Sequence, residues 1–178
     1  YYCLNLDSDY LIRRKFMSLQ KKLVEDIFQQ CLKKDLRIIA MESCTGGLIS
    51  GAITDIPGSS KIFDRGLITY SNESKVELLG VSKTNIDTFG AVSREVVTEM
   101  ATKLIIDTNL QYKVSIATSG VAGPGKSEQK PVGLVWLASY KYNNLIVKKI
   151  NFGNISRYKI RKKTVYEALK LLQENLRD

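Results

Sequence analysis

Apolar residues along this chain fall into two alternating rhythms, short continuous runs and stripes repeated every three or four positions. Residues 10–35 carry Phe16, Leu19, Leu23, Ile27 and Cys31 at helical spacing with lysines between them, which predicts an amphipathic helix. Residues 36–41 form an apolar run of strand length that breaks into Ser43-Cys44-Thr45-Gly46-Gly47. Helical spacing returns over 48–54 and stops at Asp55-Ile56-Pro57-Gly58. A second strand is predicted over 62–70, weakened by Asp64, Arg65 and Gly66, and a short helix over 73–79 closed by Gly80. Ser93 is placed to cap the most regular helix, whose apolar face holds Val97, Met100, Ala101, Leu104 and Ile105. Residues 114–118 read as a short buried strand opening into a glycine-rich loop over 119–133. Two further strands, 132–142 and 145–152, flank Asn143-Asn144, a pair suited to a tight hairpin. Residues 157–176 close the chain as a helix with Val165, Ala168, Leu169, Leu172 and Leu176 inward.

Helices alternating with strands, followed by a hairpin, predict an α/β fold: a three-layer α/β/α sandwich on a mixed, mostly parallel sheet. The alternation begins only at Leu36, so residues 1–35 are expected to form an N-terminal helical extension and 36–178 the domain proper. A length of 178 residues suits one domain with a full core. No apolar stretch approaches the roughly 20 residues that span a membrane, and Asp7 and Asp9 interrupt any signal-peptide pattern in the first ten residues. Three scattered cysteines, Cys3, Cys31 and Cys44, without a CxxC pair argue against a disulfide scaffold and for a reducing cytoplasm. A net charge of +9 favours anionic partners without choosing among nucleotides, nucleic acid and membrane surfaces.

The absence of histidine narrows the chemistry most. A Ser-His-Asp triad is impossible, a structural zinc site is disfavoured, and any serine nucleophile must find its base in lysine, a carboxylate or tyrosine. The turn after the first strand is the leading place for such chemistry, because open α/β sheets bind ligands at the carboxyl ends of their strands. Ser43 is the candidate nucleophile and Cys44 its rival, while the plainer reading makes Ser43 and Thr45 helix caps. Lys75 and Tyr70, just past the second strand, would open onto the same edge if the two strands are neighbours. A lysine serves as a base only when its surroundings favour the neutral amine. Ser59 and Ser60 follow Pro57-Gly58 and read first as turn residues, with a proton relay as the sharper alternative. The segment Thr118-Ser119-Gly120-Val121-Ala122-Gly123-Pro124-Gly125-Lys126 lacks the spacing and the following helix of a P-loop, yet its glycines allow close approach to a ligand. Lys148, Lys149, Arg157, Lys159, Arg161, Lys162 and Lys163 form the densest basic cluster, a solvated face by default and a nucleic-acid surface as the alternative.

Taken in order, Glu42-Ser43-Cys44-Thr45-Gly46-Gly47, Asp55-Ile56-Pro57-Gly58-Ser59-Ser60, Tyr70-Ser71-Asn72-Glu73, Lys75, Leu79-Gly80-Val81, Gly90-Ala91-Val92-Ser93, Gly120-Val121-Ala122-Gly123-Pro124 and Lys130-Pro131-Val132-Gly133 resemble the CinA C-terminal-domain family, the nicotinamide mononucleotide amidohydrolases. The resemblance runs from about residue 36 to the C-terminus. It implies hydrolysis of the carboxamide of nicotinamide mononucleotide to nicotinate mononucleotide and ammonia, a salvage step in the pyridine nucleotide cycle. It places the family's nucleophile on Ser43 and its base on Lys75, with Tyr70 and Ser60 as possible relays. Thr45, Gly46, Gly47, Thr118, Gly120, Gly123 and Arg157 then surround the substrate. It further implies a homo-oligomer with no metal or other cofactor. The family's historical link to competence and DNA damage keeps a non-catalytic nucleotide- or nucleic-acid-binding module as the alternative. The sequence departs from the family at Lys126-Ser127-Glu128-Gln129, which is short and charged, and at Ser119 before the first loop glycine.

Overall fold

The computed structural model of the chain describes residues 6–108, 112–125, 127 and 129–177. Cys3, Lys126, Glu128 and the side chain of Phe16 lie outside the described parts. In chain order the elements are α1 (Leu6–Lys33), β1 (Arg37–Glu42), α2 (Leu48–Thr54), a 3-10 turn (Ser59–Lys61), β2 (Phe63–Ile68), α3 (Asn72–Leu79), α4 (Lys83–Phe89), α5 (Arg94–Asp107), β3 (Lys113–Gly120), β4 (Leu134–Lys141), β5 (Asn144–Asn151) and α6 (Arg157–Arg177).

The five strands form one sheet in the order β2-β1-β3-β4-β5. β1 runs parallel to both β2 and β3, whereas β4 is antiparallel to its two neighbours. Only β4 therefore opposes the common direction, and the sheet is mixed with a parallel centre. Alternation along each strand divides the core. Ile38, Ala40, Val114, Ile116, Val135 and Leu137 face α1, α2 and α6. Ile39, Met41, Ala117, Ala138 and Tyr140 face α3, α4 and α5 through Leu79, Ile86, Val97 and Met100. This is the three-layer sandwich expected from the pattern.

Chain order then fixes where chemistry can happen. From β1 the chain crosses one face through α2 to reach β2. It returns over the other face through α3, α4 and α5 to β3, on the opposite side of β1. The strand order thus switches between β1 and β3, where α/β sheets open a crevice beyond their carboxyl ends. Glu42 at the end of β1 pairs with Ile68 of β2 and Thr118 of β3, so the residues after all three strands meet at one edge.

Three details differ from the sequence expectation. The helix α4 goes unannounced because it is seven residues long and buries a single apolar side chain, Ile86. The hairpin turn falls on Tyr142 and Asn143, both at positive φ (47° and 66°), one residue before the expected pair. Asn144 instead belongs to β5, held there by pairing with Lys141 and by a 3.1 Å hydrogen bond to Asn175 of α6. Finally, Leu19 of the predicted apolar stripe is 46% exposed, while Leu23, Val24, Ile27 and Cys31 enter the core beside α6.

Candidate active site

The turn after β1 is built by its neighbours. Gly46 and Gly47 adopt left-handed φ values of 56° and 90°, which L side chains rarely accept. Neither Ser43 nor Thr45 caps α2. Its cap is the carboxylate of Glu42, fully buried, which accepts hydrogen bonds from the N–H groups of Gly47 (2.9 Å), Ile49 (3.1 Å) and Ser50 (2.8 Å) and from the Ser50 hydroxyl (2.7 Å). A negative charge belongs at a helix start, and those donors would otherwise go unsatisfied. From the other side Arg161 of α6 donates to the carbonyls of Cys44 (Nε, 3.1 Å) and Thr45 (Nη2, 2.8 Å). Sequence reading missed both residues, Glu42 because it ends a strand and Arg161 because it sits in a basic run. A charged residue closing an apolar run just before a glycine turn is the signal that marks the first.

Ser43 emerges from this turn with its N–H bound to the Thr118 carbonyl at 3.1 Å. Lys75 of α3, 1% exposed, brings its Nζ to 3.3 Å from the Ser43 Oγ. The same Nζ donates to the carbonyls of Thr69 (2.9 Å) and Ser71 (3.2 Å), the residues that lead from β2 into α3. Ser71 also caps α3 by accepting from the Ser74 N–H, so the cap and the lysine four residues later are fixed by one turn. Cys44 lies next to Ser43 but is a different group: burial pushes its thiol up to about 12, so it stays protonated and weakly nucleophilic.

In front of these groups lies an open pocket of about 380 Å³. Ser43, Cys44, Tyr70, Asn72 and Lys75 line one side, Ala91 and Val92 another, and the loop residues 119–123 with Gly125 and Ser127 the rest. Gly120 has to be glycine, since a Cβ there would stand 3.0 Å from the Leu134 carbonyl oxygen and 3.1 Å from the Val135 Cα. Ser119, whose hydroxyl donates to the Ala91 carbonyl at 2.6 Å, ties the end of β3 to the segment before α5. Arg157 spans the mouth, donating to the Gly123 carbonyl (2.7 Å) and to the Tyr70 hydroxyl (2.6 Å). Arg157 supplies a cationic group at the mouth, and no Asp or Glu is among the described lining residues.

Of the residues singled out in the sequence, Ser43, Lys75, Tyr70, Gly120, Gly123 and Arg157 thus converge on one pocket. Thr45 and Thr118 do not reach it. Their hydroxyls bond each other at 3.0 Å, fully buried behind the turn that carries Ser43. Gly46 and Gly47 spend their N–H groups inside the turn, on the Ser43 carbonyl and on Glu42. Ser60 is a correction. It sits in the turn that precedes β2, and a strand parallel to β1 must begin where β1 begins, at the opposite edge of the sheet from Ser43. Within one chain it cannot relay a proton there. The basic cluster is also divided: Lys148 faces α6, bound to Glu167 at 2.9 Å, while Lys149 faces the other layer over the Trp136 ring.

A three-layer α/β/α domain whose first strand delivers a serine to a buried lysine is the architecture defined by these features. The chain belongs to the CinA C-terminal domain family, whose pattern matches residues 20–176. It is 48% identical over 136 residues to a CinA-like protein of Endomicrobium trichonymphae, covering 76% of this chain and 31% of that protein. A CinA-like protein of Fervidobacterium nodosum is 42% identical over 159 residues, covering 88% and 38%. The chain therefore spans between about 31% and 38% of the length of these curated relatives. Among solved structures, the competence/damage inducible protein CihA of Agrobacterium tumefaciens superposes with a TM-score of 0.83 at 40% identity, covering 89% of this chain and 96% of that one. Among the described residues no helix is long and apolar enough to cross a membrane.

Proposed function

We propose that this chain is an amidohydrolase that converts nicotinamide mononucleotide to nicotinate mononucleotide and ammonia, with Ser43 as nucleophile and Lys75 as base. The observation that carries the reading is the 3.3 Å approach of the Lys75 Nζ to the Ser43 Oγ in a pocket that opens to solvent. Family membership is consistent with this chemistry, while the relatives' names speak of competence and damage rather than of a reaction.

In the reaction, neutral Lys75 takes the Ser43 hydroxyl proton as Oγ attacks the carboxamide carbon. The Thr69 and Ser71 carbonyls then hold the ammonium so formed. Collapse of the tetrahedral intermediate breaks the C–N bond, and the lysine returns the proton so that ammonia departs from an acyl-Ser43 ester. Water attacks that ester, giving the carboxylate product and restoring Ser43. The Arg157 guanidinium at the mouth suits an anionic substrate and would meet its phosphate. Tyr70, whose hydroxyl already accepts from Arg157, orients that guanidinium.

The test is ammonia release from nicotinamide mononucleotide by wild type and by Ser43→Ala. Wild type should turn over and the variant should lose on the order of 10⁴-fold or more in kcat. Full retention in the variant would exclude the acyl-enzyme route. Heat of binding in calorimetry with no ammonia from wild type would instead show a nucleotide-binding module.

A further inference from the structure

Following each peptide group through the turn after β1 leaves two N–H groups outside its bonds, those of Cys44 and Thr45, and of these two residues only Cys44 lines the pocket. The N–H groups of Gly47, Ile49 and Ser50 are taken by Glu42, that of Leu48 by the Thr45 carbonyl, and that of Gly46 by the Ser43 carbonyl. The N–H of Cys44 carries none of these bonds, and Cys44 lines the pocket beside Ser43.

Peptide units are planar and trans, so a carbonyl and the following N–H point in opposite directions and polarise together. Arg161 Nη2 grips the Thr45 carbonyl at 2.8 Å. That peptide's N–H, on Gly46, donates to the Ser43 carbonyl at 3.0 Å. The next N–H in the series is Cys44's. A guanidinium on α6 is thereby linked through two peptide dipoles to the amide nearest the nucleophile, and its second bond, Nε to the Cys44 carbonyl at 3.1 Å, stops the intervening peptide from rotating.

We infer that Arg161 is a positioning residue for amide hydrolysis at Ser43, orienting and polarising the Cys44 N–H as the donor to the oxyanion. The inference rests on the hydrolase reading of this pocket. It assigns Arg161 a role separate from that of Arg157, one turn earlier on the same helix, whose bonds go to the pocket rim.

The experiment compares ammonia release from nicotinamide mononucleotide and from its thioamide, in which a weakly accepting sulfur replaces the carbonyl oxygen. Wild type, Arg161→Met and Arg161→Lys are each assayed for kcat and KM, with thermal unfolding alongside. The expected result for Arg161→Met is a 10- to 100-fold fall in kcat on the amide, KM within about twofold, and a thioamide rate lowered less than about threefold. Arg161→Lys, which restores one charged donor, should lie between. If Arg161→Met does not fold, the amide-to-thioamide ratio in Arg161→Lys carries the same decision. An equal loss on both substrates, or no loss on either, overturns the inference while leaving the hydrolase reading intact. A wild-type protein without turnover on the amide overturns both.

Discussion

Ser43 and Cys44 show how much two adjacent side chains differ once folded. Both carry nucleophilic atoms and both touch the pocket, yet only Ser43 has a basic partner, Lys75 at 3.3 Å. Burial holds the Cys44 thiol protonated, with its ionisation moved from 9.0 to about 12. At neutral pH the intrinsically more reactive sulfur is therefore held as the thiol, which favours Ser43 as the nucleophile of the proposed reaction. The contrast gives a direct expectation. Cys44→Ala should keep kcat within about threefold of wild type and lose roughly 1 to 2 kcal/mol of stability from the emptied volume, read by urea unfolding. A loss of activity comparable to that of Ser43→Ala would move the nucleophile to the thiol.

Among the elements, β2 is the strand where the sequence signal is weakest and the structure most instructive. Asp64 is the extra residue at a register shift against β1, which is why the apolar alternation breaks there. Its carboxylate reaches past β1 to Lys113 at the start of β3, 2.5 Å away, with Lys113 only 3% exposed. Burial alone would raise the Asp64 carboxyl, but Lys113 and Arg65 outweigh it and hold the group below its usual value of 3.8. A lowered value in the folded state means stabilisation that is present above 3.8 and disappears as pH falls through the folded value. Asp64→Asn should therefore cost about 3 kcal/mol at pH 7, where it leaves a buried ammonium unpaired. Its deficit in urea unfolding should shrink on acidification below pH 4, and a deficit constant with pH would show that charge is not the cause. The same element marks what was legible beforehand. The apolar runs of β1 and β3 and the stripe of α5 announce themselves, and with them the edge on which Ser43 and Lys75 meet. What a linear pattern does not carry is which end of the sheet each connection occupies. Ser60 therefore reads as a neighbour of Ser43 in sequence and lies at the far edge in space. Glu42 and Arg161 escape for a related reason, since apart from the Ser50 hydroxyl their partners are backbone atoms, and backbone atoms have no letter in a sequence.

On the scale of the whole molecule, the packing of the first helix bears on where the folded unit begins. Read as a pattern, residues 1–35 are a separable extension, because strand–helix alternation starts only at Leu36. In the fold, Leu23 (8% exposed), Val24 (1%), Ile27 (0%) and Cys31 (0%) cover one face of the sheet beside α6, whereas Met17 and Leu19 are 71% and 46% exposed. The match to the family likewise begins at residue 20, inside this helix. Removing four buried side chains forfeits roughly 1.5 to 3 kcal/mol for each of the three aliphatic ones alone. The sum, about 6 kcal/mol, is as large as the whole stability of many domains. A chain starting at residue 20 should therefore unfold within a few degrees of the full one in a calorimetric scan and retain its ammonia release. A chain starting at residue 36 should expose the α6 face, bind a hydrophobic dye and show no cooperative transition. Native-like melting of that shorter chain would establish instead that α1 is an appendage and that the domain is complete without it.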